Sequence, residues 1–151
     1  MMKTLYIIRH AKSSWGDMSL PDFERPLNDR GKKDAPVMAN RLIKRKISID
    51  VFISSTAKRA LKTCKLFCKA FNRNEEDIIR LDELYHASRD SFYTVVRSID
   101  NNIDSAAIFS HNPGITDFVN DIQGEVKLDN MPTCAVFAIS LNAKNWKNFS
   151  P

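Results

Sequence analysis

Residues 5–15 read LYIIRHAKSSW: four apolar residues in a row, then an arginine and a histidine with nothing between. A continuous apolar run of this length is the pattern of a central β-strand covered on both faces. Two side chains that resist burial stand directly at its end, which implies that the strand stops where they are needed. Residues 51–53 (VFI) and 106–109 (AAIF) repeat the apolar run. Each also ends on polar residues, Ser54-Ser55 in the first case and Ser110-His111 in the second.

Segments of helical period lie between these runs. Residues 34–46 carry Ala35, Met38, Leu42 and Ile43 at helical spacing, and residues 56–71 carry Ala57, Leu61, Cys64, Phe67, Cys68 and Phe71. Residues 90–99 read as a third helix and 113–122 as a fourth, with Pro113 suited to a first helical position. Residues 134–141 alternate apolar side chains as a late strand, and 21–31 and 123–133 read as polar loops. Strands alternating with helices predict an α/β fold: a three-layer sandwich whose mostly parallel central sheet is flanked by helices. A length of 151 residues suits one such domain, spanning 1–151, and no internal repeat interrupts it.

Composition narrows the function classes. Apolar residues make up 43% of the chain and charged residues 27%, as in a folded globular protein. No apolar run approaches the roughly 20 residues that span a bilayer, and the first eight residues are too short for a secretory signal, so a cytoplasmic protein away from membranes is expected. Cys64, Cys68 and Cys134 are odd in number, and the first two stand four apart as on one helix face, which reads as buried free thiols rather than a metal knuckle. The net charge of +5 suits a phosphorylated ligand. The basic residues form no stripe interleaved with aromatics, so nucleic acid is not the expected partner.

In an open parallel sheet, ligands bind beyond the carboxyl ends of the strands. Three strand ends here deliver Arg9 and His10, the helix carrying Arg59, and His111 to one edge. That set suits a phosphoryl group. Arginine presents forked donors matched to phosphate oxygens, and a neutral imidazole can attack phosphorus to give a phosphohistidine that water later hydrolyses. Neighbouring arginines also lower a histidine's pKa by like-charge repulsion, which favours the nucleophilic form.

These residues resemble the histidine phosphatase superfamily, and within it the small phosphohistidine phosphatases of the SixA type. The likeness runs through RHAKSSW, DFERPLNDRGKKDA, ISSTAKRALKT, LDELYHA, FSHNPGI and MPTCAVFAI in that order. It implies a phosphoglycerate mutase-like fold and, for His10, the role of phospho-accepting nucleophile. Arg9, Arg59 and His111 correspond to the pocket that holds the phosphoryl oxygens, with Ser13 and Ser14 in the loop after the nucleophile and Arg25 beside Pro26 in either a structural or a substrate-rim place. Where most of the superfamily has glycine after the histidine, this chain has Ala11, as the SixA branch allows. Glu83 is the nearest match to the carboxylate with which larger relatives protonate an oxygen leaving group; the SixA type manages without a strong acid, because phosphohistidine has a labile phosphorus–nitrogen bond. His86, close by, reads as a solvated histidine.

The resemblance implies a monomeric, metal-independent phosphatase without a cofactor, acting on a phosphohistidine-bearing signalling or phosphotransfer protein. Two alternatives stand beside it. One is hydrolysis of a small phosphomonoester with Glu83 as the acid; the other is a module that binds phosphorylated ligands without turning them over.

Overall fold

Alternation along the first strand sorts its side chains to two faces. The computed structural model describes residues 2–125 and 127–151, and in it β1 (Met2–Arg9) buries Leu5 and Ile7 on one side of the sheet and Tyr6 and Ile8 on the other. Burial on both faces is why the run is apolar throughout, and each fully buried Leu or Ile contributes about 1.5–3 kcal/mol. β4 (Ser105–Ser110) pairs in parallel with β1, Leu5 opposite Ala106 and Arg9 opposite Ser110. On its other side β4 pairs in parallel with β2 (Val51–Ser55), which in turn pairs with β3 (Ile79–Leu81). β5 (Val136–Asn142) closes the opposite edge antiparallel to β1, giving the order β3-β2-β4-β1-β5. The expected α/β sandwich with a mostly parallel sheet is the observed architecture.

Among the described residues, four α-helices cover the sheet. α1 (Asp29–Lys44) and α2 (Lys58–Ala70) pack on the face of Tyr6, Ile8, Phe52 and Phe109, with Leu42 and Phe67 buried there. α3 (Arg89–Arg97) and α4 (Gly114–Gln123) pack on the other face through Phe92, Val96, Phe118 and Val119, where Trp146 and Phe149 are also buried. Lys3 lies fully buried at the start of β1, and its ammonium donates to the carbonyls of Asn101 and Ile103 and to Asp104 Oδ1 at 2.7, 2.8 and 3.1 Å. A buried cation is tolerated because each of these acceptors compensates its lost water.

The structure departs from the sequence reading at several places, among them α4, which begins at Gly114 with Pro113 as its N-cap rather than its first helical residue, and β5, which spans Val136–Asn142 rather than 134–141. α1 begins at Asp29, not at 34, because the Asn28 side chain accepts from Gly31 N at 2.8 Å and caps the helix earlier than its apolar spacing announces. The loop expected over 21–31 is therefore shorter, and residues 22–24 form one 3-10 turn within it. β3 was not foreseen: it is three residues at the sheet edge with Ile79 exposed, too short for a periodic signal. The three cysteines are free and buried, as expected. Among the described residues, no helix is long and apolar enough to cross a membrane.

Candidate active site

β2, β4 and β1 are adjacent and parallel, so their carboxyl ends meet at one edge of the sheet. There a cavity of about 370 Å³ is lined by Arg9, His10, Arg25, Arg59 and His111, together with Ser13, Lys12 and Asp22. The residues singled out from three separate strand ends are thus brought together, because the strand order places those ends side by side.

His10 is nearly buried, at 6% exposure, and its backbone continues the β1–β4 ladder through His10 N to Ser110 O at 3.1 Å. From the other side, Cys134 N donates to the carbonyls of Arg9 and His10 at 3.1 and 3.0 Å, and Arg9 Nη1 donates to Met131 O at 2.7 Å. The 131–134 segment therefore clamps the Arg9-His10 pair. His10 Nδ1 lies 2.7 Å from the Ala11 carbonyl, an acceptor only, so Nδ1 carries the proton and Nε2 keeps its lone pair. Burial pushes the His10 pKa down to about 4; the Ala11 bond opposes this, and Arg59, Arg9 and Arg25 reinforce it by charge. At neutral pH the ring is uncharged, with a lone pair on Nε2.

His111 stands beside it, the ring centroids 5.2 Å apart. Its Nε2 is 2.7 Å from Ser55 Oγ, while Nδ1 is buried and without a hydrogen-bond partner. Burial and then the nearby His10 push its pKa down to about 2, so it too is neutral. A serine hydroxyl donating to Nε2 would leave Nδ1–H as a donor for a ligand oxygen. Arg9 Nε and Arg59 Nε are likewise buried and unpartnered. Among the described residues these three are the buried side-chain nitrogens or oxygens left unsatisfied, and all three belong to residues lining this cavity. Unpaired buried donors are rare in folded proteins, and their gathering at one place marks a site for an anion.

Sequence reasoning missed Asp22. Its carboxylate accepts from Arg59 Nη2 at 3.0 Å, from Tyr85 Oη at 2.6 Å and from Arg25 Nε at 3.2 Å, while its backbone carbonyl accepts from Arg59 Nη1 at 2.7 Å. Burial works against the charged form, yet the bonds from Tyr85 and Arg59 outweigh it and hold the carboxyl far below the usual carboxylate range. Tyr85 and Trp15 were also missed. Trp15, 66% exposed, stacks on the Arg25 guanidinium at 3.6 Å, and Arg25 Nη1 donates to Ser13 Oγ at 3.1 Å. An aspartate in an irregular loop carries no local signal that it will meet an arginine 37 positions on.

The remaining expectations divide. Ser13 lines the cavity; Ser14 does not, its hydroxyl accepting from Gly16 N within the loop. His86 lines the rim, exposed, its ring tilted against Tyr85 with the centroids 3.9 Å apart. Glu83 is exposed on the 3-10 turn of residues 82–84 and is not among the cavity-lining residues, because that turn directs the buried Leu84 inward instead. Asp22 is the one carboxylate that lines the cavity among the described residues. No group of three or more His, Cys, Asp or Glu side chains among them is placed to hold a metal ion.

The model of the histidine phosphatase superfamily (branch 1) matches residues 5–89. An uncharacterized chloroplastic protein of Arabidopsis thaliana is 40% identical over 63 residues, which is 42% of this chain; the match spans 29% of that curated relative, well under two thirds of its length. Among solved structures, the Agrobacterium tumefaciens protein assigned as phosphohistidine phosphatase SixA superposes with a TM-score of 0.82 at 28% identity over 90% of each chain. An Escherichia coli protein assigned as an α-ribazole-5′-P phosphatase shares the fold, with a TM-score of 0.71 at 16% identity over 95% of this chain and 92% of that one.

Proposed function

Since the chain belongs to the histidine phosphatase superfamily, we propose that it removes the phosphoryl group from phosphohistidine on a partner protein, through a covalent phosphohistidine formed on His10. One observation carries the reading: three unpartnered buried nitrogens, on Arg9, Arg59 and His111, belong to the same cavity as the free Nε2 of His10. A phosphoryl group there would meet donors for its oxygens and a nucleophile for its phosphorus.

In the first half-reaction the His10 Nε2 lone pair forms a bond to phosphorus as the substrate's phosphorus–nitrogen bond breaks. The substrate ring, protonated at its other nitrogen, departs as neutral imidazole. The Ala11 carbonyl, accepting from Nδ1–H, stabilises the positive charge that the His10 ring acquires. Water then attacks phosphorus, the bond to Nε2 breaks, and phosphate leaves as dihydrogen phosphate with both of the water's protons while His10 regains its lone pair. Arginine donors fixed in a largely buried site act on the charge spread over the transferring oxygens, where such contacts count most.

The choice of a nitrogen leaving group rests on the carboxylates. Asp22 is held ionised by its hydrogen bonds, so it has no proton to give at neutral pH, and Glu83 stands off the cavity. An alkoxide leaving group would need such a proton; a protonated imidazole does not. Likeness to the SixA assignment at 28% identity over 90% of the chain supports the same substrate class. A small phosphomonoester is the second reading, favoured by a cavity of about 370 Å³, which lies in the range of small-ligand pockets.

The test is phosphate release by wild type and His10→Ala, with chelator present, from a histidine-phosphorylated protein and from an aryl phosphate in parallel. Release from both substrates, lost in the variant, is expected. Undiminished release by His10→Ala would overturn the nucleophile. Hydrolysis of phosphomonoesters alone, reduced by Glu83→Gln, would establish the second reading, and phosphate binding without release would leave a binding module.

A further inference from the structure

A second cavity adjoins the first across the 22–27 loop, floored by Pro26, Leu27 and Leu61 and walled by the side chains of lysines. These are Lys32 from the first turn of α1 and Lys58, Lys62 and Lys65 from α2. On α2 the positions 58, 61, 62 and 65 follow helical spacing and form one outward face, while Arg59, Thr63, Cys64 and Phe67 turn inward. None of the four lysines is within ion-pairing distance of a carboxylate among the described residues.

The helix bears an electrostatic strain that its fold does not require. α2 carries Lys58, Arg59, Lys62, Lys65 and Lys69 and no acidic residue. Lys58 and Lys62 repel one another at i,i+4, and Lys58 sits in the first turn, where the helix dipole disfavours a cation. The N-cap, Ala57, offers no side-chain acceptor to offset this. An apolar floor bordered by unpaired cations of one sign complements a segment that presents carboxylates around an apolar contact. The groove neighbours the active site through adjacent residues that line the two cavities: Lys58 precedes Arg59 in the chain, and Pro26 follows Arg25.

We propose that this lysine-walled groove docks an acidic, partly apolar segment of the phosphorylated protein substrate, next to the side chain whose phosphoryl group enters the His10 cavity. The proposal rests on the protein-substrate reading above and adds to it a substrate feature, negative charge beside the phosphohistidine. Its action is on encounter and binding, so it raises kcat/KM for acidic substrates and leaves the chemistry on His10 unchanged.

Two synthetic peptides of equal length, each with one phosphohistidine, are the probes: one flanked by Asp, Glu and Leu, the other by Asn, Gln and Leu. Free phosphohistidine and an aryl phosphate serve as references. Wild type is expected to prefer the acidic peptide by about tenfold or more in kcat/KM at low ionic strength, with the preference shrinking as salt rises. The Lys58→Glu/Lys62→Glu/Lys65→Glu variant should lose that preference and keep its turnover of free phosphohistidine; the matching triple alanine variant guards against a folding defect. Equal rates on both peptides in wild type, or a preference that survives in both variants, would overturn the proposal. Binding of duplex DNA that is lost in the triple glutamate variant, with equal rates on the two peptides in wild type, would overturn it in favour of a nucleic-acid surface. Aryl phosphate hydrolysis with no phosphohistidine turnover would instead remove the substrate reading, and the docking role with it.

Discussion

Asp22 holds Arg59 at two points, its carboxylate 3.0 Å from Nη2 and its backbone carbonyl 2.7 Å from Nη1. The guanidinium keeps only Nε without a partner. Asp22 therefore fixes the orientation of the arginine and places a negative charge at the edge of a cavity otherwise flanked by Arg9, Lys12, Arg25 and Arg59.

Under the proposed function, that charge repels the phosphoryl anion and so favours release of product phosphate. Asp22→Asn keeps the shape and one acceptor oxygen while removing the charge. Inorganic phosphate should then inhibit more strongly, its inhibition constant falling on the order of tenfold at low salt. A competition assay with an aryl phosphate measures it, and an unchanged or weaker constant would show that Asp22 acts only in positioning.

The two buried histidines make the protein sensitive to acid. Their folded pKa values, about 4 for His10 and about 2 for His111, lie below the ordinary 6.5. Between the folded and unfolded values the unfolded chain binds the protons, so stability rises with pH up to about 6.5 and falls on acidification below it. The loss between pH 6.5 and 4.5 should be on the order of a few kcal/mol, read from urea denaturation midpoints at each pH. Imidazole NMR titration should find neither ring protonated above pH 5. A midpoint that does not move across this range would contradict the burial of neutral rings.

Ser55→Ala tests how His111 is set. Removing the hydroxyl takes away the partner of Nε2 and frees the ring to adopt the tautomer with Nδ1 as an acceptor, which would repel a phosphoryl oxygen. Turnover should fall roughly fivefold to tenfold, the size of one neutral hydrogen bond. Ser55→Thr keeps the hydroxyl and should restore most of it; equal loss in both variants would point to packing instead.

Gly31 links the fold to the site. A Cβ at this position would lie 2.2 Å from the carbonyl oxygen of Lys12, two residues after His10, and that carbonyl also accepts from Asn28 N at 3.0 Å. Gly31→Ala must push the 12–15 loop away from the start of α1. We expect a loss of stability of about 1–3 kcal/mol together with reduced turnover, by thermal unfolding and aryl phosphate assay, whereas Gly16→Ala in the same loop meets only the Ser14 hydroxyl at 3.2 Å and should cost far less.

Much of this was legible in the order of residues. Apolar runs ending in Arg9-His10, Ser54-Ser55 and Ser110-His111 announced both the strands and the residues at their ends, because a buried strand and a polar terminus are local patterns. Glu83 illustrates the limit. Its place in LDEL suggested an acid, but which way a one-turn 3-10 helix faces depends on Leu84 finding the core, and that packing sent Glu83 outward.

The sequence by itself determined the layer architecture and singled out the arginines and histidines that line the cavity, since apolar period and residue chemistry are properties of short segments. Only the tertiary structure decided the strand order that brings the three ends together, the capture of Arg59 by Asp22, whose carboxylate Tyr85 also holds, and the lone pair left on His10 Nε2. Each of these is a contact between segments far apart in the chain or a hydrogen bond of defined geometry. Such contacts are set by how the sheet and helices pack, and no local pattern encodes them.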